Sequence, residues 1–231
     1  MSHPSHTQLS THLSSTKNLT PTPTWLTTFL TTQRPSTPLP ALIQTATFRL
    51  LASDITTSLS PSASTCLPTD VNNVNIKERK LAGAITVQVL GVEDMSKSRW
   101  EQIEAIEALE RGEGTKGREI IRVVAAEEGE GDDGAQKSGG PHKLLLKDAA
   151  GKRAYGIELR AVEGVGLGMS IGCKVVLKGA IVARGMVLLE PATTMVLGGK
   201  IEALHKAWKE GRKAELRKAI EDGEQWVRER G

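Results

Sequence analysis

Three stretches of this chain carry the residue types of a ligand-binding or reactive site, and each fails on spacing. Gly164-Val165-Gly166-Leu167-Gly168 has the letters of a phosphate-cradling loop, but the last glycine of that fingerprint is missing and a strand follows where a helix should open. Gly112 to Gly117 combines glycines with Lys116, without the Gly-Lys-Ser/Thr ending that sets a lysine on a phosphate. Glu101, Glu104, Glu107 and Glu110 share one helix face. Paired carboxylates doing acid–base work need unequal environments, and a solvated face does not supply them. The five histidines (His3, His6, His12, His142 and His205) show no ligand pattern, and Cys66 and Cys173 stand far apart with no CxxC, which speaks against structural zinc and a disulfide framework. The expectation is a protein that is not an enzyme and takes no metal or cofactor.

Binding is the chemistry left. Lys143, Lys147, Lys152, Arg153, Lys174, Lys178 and Arg184 supply positive charge, while Tyr155 is the one aromatic among the predicted strands. A single-strand groove needs a basic track and also rings for bases to stack on. The chain has only seven aromatics, four Trp, one Tyr and two Phe. Protein binding is therefore the preferred reading. A stand-alone single-stranded DNA-binding protein, touching DNA through Lys152, Arg153 and Tyr155, is the alternative. Lys143, Lys147, Lys174 and Lys178 read first as charges on outward faces.

The net charge of +3 hides a segregation: residues 1–83 sum to +3, 93–142 to −6, 143–198 to +4 and 199–231 to +2. An acidic island thus lies between mildly basic regions. No apolar run approaches membrane-spanning length, and the N-terminus lacks the basic-then-apolar order of a secretory signal; an intracellular protein is expected.

The elements that must carry these residues divide into four parts. Residues 1–60 predict a small three-helix bundle, its first residues disordered. Leu9 and Leu13 hint at a first helix; Thr22 and Pro23 cap a second containing Trp25, Leu26 and Phe29; a third runs from Leu39 to Ile55. Residues 61–83 read as a linker. From 84 the period becomes two: Ala84–Leu90, Lys143–Lys147, Arg153–Leu159, Lys174–Ala183 (bent at Gly179) and Met186–Leu189 are five strands. Five strands with a glycine-bent fourth predict a Greek-key barrel, the OB fold, over 84–198. Residues 199–231 predict a C-terminal helix. The misfit is the first connection, residues 93–142, where a hairpin normally needs two to five. Inside it, Ser98 and Glu101 form a capping box for a helix with Trp100, Ile103, Ile106 and Leu109, with Glu107 and Arg111 as an i, i+4 pair. Ile120 and Ile121 suggest a strand, and 127–140 reads as disordered.

Several of these segments together resemble the RecQ-mediated genome instability protein 1 family, its fungal members in particular. They are Val87 to Asp94 followed by Ser98 to Glu101, Gly156 to Leu159, Gly172 to Lys174, Arg184 to Pro191 with Val196 to Gly199, and, N-terminally, Thr24 to Leu26 and Leu50 to Asp54. The resemblance spans roughly residues 13–220. It implies a nuclear, non-catalytic subunit of the RecQ helicase–topoisomerase III complex that dissolves double Holliday junctions. In that family the OB fold docks on topoisomerase III, and its first loop enters the enzyme's gate and promotes decatenation. Carried over, the partner-binding loop comprises Glu93, Asp94, Ser98, Arg99, Trp100, Ile103, Ile106, Leu109, Arg118, Ile120 and Ile121, and the barrel contributes Lys174, Lys178 and Arg184. DNA contact is expected to be weak or indirect. Larger members carry a second OB fold, which this sequence does not contain.

Overall fold

The computed structural model describes residues 4–34, 36–116, 119–122 and 140–230. Its N-terminal part holds α1 (Pro4–Lys17), α2 (Pro23–Thr31), α3 (Leu39–Leu51) and the single turn α4 (Ile55–Ser58). Leu9 and Leu13, one turn apart, are enough to make the Ser/Thr-rich start helical because they enter a core with Leu26, Phe29, Leu42, Ala46, Leu50 and Ile55. The Thr22 hydroxyl oxygen accepts the Trp25 N–H at 3.1 Å and satisfies one of the first-turn amides of α2. The helix expected to reach Ile55 instead ends at Leu51. Asp54 takes extended backbone and its carboxylate accepts the Thr56 N–H at 2.9 Å, opening α4. A short polar side chain that bonds its own backbone outcompetes continuation of the helix.

Next come β1 (Arg79–Lys80) and β2 (Ala84–Asp94), then the insertion with α5 (Arg99–Glu110), β3 (Glu113–Lys116) and β4 (Glu119–Arg122). They are followed by β5 (His142–Asp148), β6 (Arg153–Glu158), β7 (Lys174–Lys178), β8 (Ile181–Ala183), β9 (Met186–Leu189), β10 (Thr194–Gly198) and α6 (Glu202–Arg230). The main sheet runs β1-β8-β9-β6-β5-β2-β7-β10. It is antiparallel except where β6 meets β9. With β7 and β8 as halves of one bent strand, this is the five-stranded OB barrel. Gly179, at φ +66°, makes the bend, in a backbone region costly for any residue with a Cβ. One half pairs with β2 and the other with β9, so the bend itself closes the ring.

Burial follows the faces. β5 alternates, with Leu144 and Leu146 inward, whereas β2 is buried without a break from Ile85 to Val89. Its inner side chains line the barrel; Thr86 and Gln88 on the other face meet the helices, Thr86 Oγ1 donating to the Asn18 carbonyl at 2.7 Å. Two strand limits differ from expectation. β2 continues past Leu90 through a register shift between Val89 and Gly91, so Glu93 and Asp94 are strand residues and the insertion proper starts at Met95. Thr194–Gly198 adds β10, paired with β7.

A polar seam joins helices to barrel, and it corrects the reading of two lysines. Lys174, expected outward as a partner contact, is 0% exposed. Its Nζ donates to the carbonyls of Leu51 (3.1 Å), Ser53 (2.7 Å) and Gly172 (2.8 Å). Lys147 Nζ reaches Asp54 Oδ2 at 2.7 Å, and Gln88 both donates to Asp54 (3.2 Å) and accepts the Ile55 N–H (2.9 Å). Burial pushes the Lys174 ammonium down to about 8, with the Asp54 charge opposing. For Asp54, burial would raise the carboxyl, but hydrogen bonds from Lys147, Thr56 and Gln88 together hold it far below the usual carboxylate range. Outward on a barrel strand is not toward water where a second layer covers the face.

Candidate partner interface

The insertion leaves and re-enters the barrel at a paired position: Asp94 and His142 are the last partners of the β2–β5 ladder. Both roots are buried and pinned. Asp94 Oδ1 accepts the Ser96 N–H at 2.8 Å, and the Asp94 carbonyl accepts Gln102 Nε2 at 2.9 Å. On the other side the Glu158 carboxylate accepts the backbone N–H of His142 and that of Val162, each at 2.9 Å, and meets the His142 ring at Nδ1. Met95 N–H donates to the Pro141 carbonyl at 2.9 Å, which ties the two strands of the exit together.

From this base rises α5. Its start is the predicted capping box, with Glu101 N–H to Ser98 Oγ at 3.2 Å and Ser98 N–H to Glu101 Oε2 at 2.7 Å. Glu93 steadies the base through Arg99 (3.3 Å) and Lys143 (2.5 Å). Of the acidic stripe expected to be solvated, Glu101 and Glu104 are exposed, while Glu107 and Glu110 meet α6: Lys213 Nζ sits 3.1 Å from Glu107 and 2.7 Å from Glu110, and Arg217 lies 2.7 Å from Glu107. Glu107, predicted to pair with Arg111 one turn on, thus has partners on α6. Arg212 adds a hydrogen bond to Gln102 Oε1 at 3.2 Å and packs its guanidinium over Trp208 at 4.8 Å. Lys213 and Arg217 hold the Glu107 carboxyl below its ordinary range, and Glu110 and Glu107 raise the Lys213 ammonium.

The proposed site residues therefore fall into separate groups. Trp100 (63% exposed), Leu109 (70% exposed) and Met95 stand in solvent on the insertion. Ile106 is half-buried. Ile103, expected as a contact, is buried at the foot of α5, and Glu93, Asp94, Ser98 and Arg99 are engaged in holding the insertion up. Ile120 and Ile121 lie in β4, paired with Thr115 and Gly114. Arg118, and the 127–140 tip apart from Gly140, lie outside the described residues. On the barrel, Lys178 is exposed, and exposed Arg184 occupies a turn at φ +50° and donates to the Val74 carbonyl at 3.2 Å. Arg153 and the half-exposed Tyr155 share the outer face of β6, with half-buried Lys152 in the turn before it. Lys143 Nζ already sits 5.4 Å over the Tyr155 ring.

Sequence reasoning missed Gln102, Arg212, Lys213 and Arg217. The signal that would have found the last two is charge complementarity: basic residues one turn apart on α6 face carboxylates one turn apart on α5. Among the described residues, no group of three His, Cys, Asp or Glu is placed to hold a metal, and no helix is long and apolar enough to cross a membrane.

A helical domain seamed to an OB barrel, with a braced insertion in its first loop, defines an OB-fold scaffold whose distinctive surface is that insertion. Comparison with known families gives this class a name. Residues 13–58 match the model described as RMI1, N-terminal helical domain, and residues 67–212 the one described as RMI1, N-terminal OB-fold domain. The chain is also 31% identical over 172 residues to the RecQ-mediated genome instability protein 1 of Schizosaccharomyces pombe, covering 68% of this chain and 71% of that relative. The protein belongs to the RMI1 family. Lys213 and Arg217 lie just past the matched residues.

Proposed function

We propose that this protein is a nuclear, non-catalytic accessory subunit in genome maintenance. It binds topoisomerase III and acts with a RecQ-family helicase in dissolving double Holliday junctions. The observation that carries this reading is the insertion: both roots are fixed by buried hydrogen bonds, its helix is tied to α6, and that helix shows Trp100 and Leu109 to solvent. Large apolar side chains on a rigid support are what a docking element needs, because little ordering entropy is lost on binding. The barrel anchors on the enzyme, and the insertion biases its open and closed gate states through differential contact.

The test replaces residues 95–140 with a short Gly/Ser linker. Topoisomerase III should still be recovered in a pull-down at reduced affinity, while stimulation of decatenation is lost. Undiminished stimulation would sink the reading. The alternative of a stand-alone single-strand binder would have to stack bases on the half-exposed Tyr155, the one aromatic of the predicted barrel strands, where a binding groove needs several rings.

A further inference from the structure

A second surface lies on the helical domain, away from the insertion. Between α2 and α3 runs a shallow cleft of about 290 Å³ lined by Trp25, Thr28, Phe29, Phe48, Arg49 and Ser53, among others. It gathers three of the seven aromatics of the chain. Trp25 and Phe29 stack at 5.3 Å with their planes 3° apart, which makes one continuous aromatic wall. Phe48 forms the opposite lip at 73% exposure. The core of α3 is made by Leu42, Ala46 and Leu50. Phe48 stands two residues from Ala46, about 200° around the helix, so no rotation of α3 buries it without exposing that core. An aromatic kept in water by a chain that has so few is not serving its own core.

The charge of the cleft is just as one-sided. Arg49 lies 5.5 Å over the Phe29 ring and donates to Thr32 Oγ1 at 3.0 Å, so its guanidinium is held at the rim rather than swinging free. Among the described residues no carboxylate meets it. Nor is there one nearby in sequence: residues 1–53 contain Lys17, Arg34 and Arg49 but no Asp or Glu. The first carboxylate, Asp54, is turned to the barrel by Lys147 and Gln88.

We propose that this cleft docks a short acidic peptide segment of a partner protein, with an aliphatic or aromatic anchor entering between Phe48 and the Trp25–Phe29 wall and a flanking carboxylate meeting Arg49. The space takes one or two large side chains, and the pinned guanidinium suits bidentate carboxylate recognition. A nucleic-acid strand fits less well, since it needs a basic track along its backbone and this rim offers one guanidinium among threonines.

The experiment pans a random peptide library displayed on phage against the full chain and measures selected peptides against Phe48→Ala and Arg49→Glu, with an oligo(dT) strand as competitor. Both substitutions are on the surface, and unchanged melting temperatures establish that the variants fold. The expected result is enrichment of peptides with an aromatic or leucine anchor beside Asp or Glu, binding about tenfold or more weaker to either variant. Three results overturn the proposal: selected peptides that bind both variants as well as wild type, displacement by oligo(dT) in a Phe48-dependent manner, and Phe48-dependent self-association of the chain.

Discussion

Replacing Lys174 by Met tests whether the buried ammonium is a strut of the fold or a contact for a partner. Three carbonyls, those of Leu51, Ser53 and Gly172, lose their donor, and each buried acceptor left unsatisfied costs about 1–3 kcal/mol. Against this stands the relief of desolvation. A pKa pushed from 10.5 to about 8 corresponds to about 3 kcal/mol of strain on the charged form. The apolar methionine also gains about 1 kcal/mol by burial. The balance is a net loss of about 2 kcal/mol, or roughly 4–8 °C in Tm for a chain of this size, read by thermal denaturation at neutral pH. The pH dependence has a definite sign. Between pH 8 and 10.5 the unfolded chain holds the lysine proton that the folded chain has released, so this group adds stability as pH rises. The wild-type advantage over Lys174→Met should therefore widen across that window and be flat below it. Equal stability of the two proteins, or loss of topoisomerase III binding with an unchanged Tm, would refute the strut assignment.

Reversing the α6 charges with Lys213→Glu and Arg217→Glu should free α5, with faster amide exchange across 99–110, weaker decatenation stimulation and a barrel stability within about 0.5 kcal/mol of wild type. The same exchange signature should appear in wild type at high salt, since exposed ion pairs are screened. Trp100→Ala combined with Leu109→Ala should leave stability near wild type and weaken partner binding about 10–100-fold, measured by titration calorimetry. Asp54→Asn should destabilise by about 1–3 kcal/mol at neutral pH through the Lys147 and Gln88 bonds. Because the folded carboxyl titrates below its unfolded value, that difference is present above the ordinary carboxylate range and fades as acid protonates Asp54 in the folded state.

What could be read ahead of the structure is what depends on local period and local chemistry. The strands of the barrel, the Gly179 bend, the Thr22 cap and the Ser98–Glu101 box all use residues within a few positions of each other. What could not be read depends on which layer covers which face. Lys147 and Lys174 have the alternation of outward charges, and only the helices lying over that face turn them into donors within the structure, Lys174 fully buried and Lys147 partly. The same reason gave Glu107 its partners Lys213 and Arg217, more than a hundred residues away in sequence. The site was legible as an anomaly of length, and its individual contact residues were not, because Ile103 and Trp100 look alike until α5 has a neighbour.

That neighbour also explains how a −6 insertion is tolerated on a small barrel. Six excess negative charges on one loop repel each other and favour an extended, wandering chain. The structure divides the problem. Near the barrel, Glu93, Glu107 and Glu110 are each matched by a cation from β5, α5 or α6, and Asp94 is spent on the exit turn, so the base is held in one orientation. The carboxylates of 127–133 lie beyond these cations in sequence. With its foot neutralised, the charge the insertion leaves unmatched is charge that acts on association rates rather than on folding. If that division holds, removing the α6 cations raises repulsion at the base while leaving the outer charge untouched. Orientation would then be lost before long-range attraction or repulsion is. Binding of Lys213→Glu with Arg217→Glu to topoisomerase III should accordingly lose affinity chiefly through faster dissociation, beyond whatever change in association rate and its salt dependence the added negative charge brings.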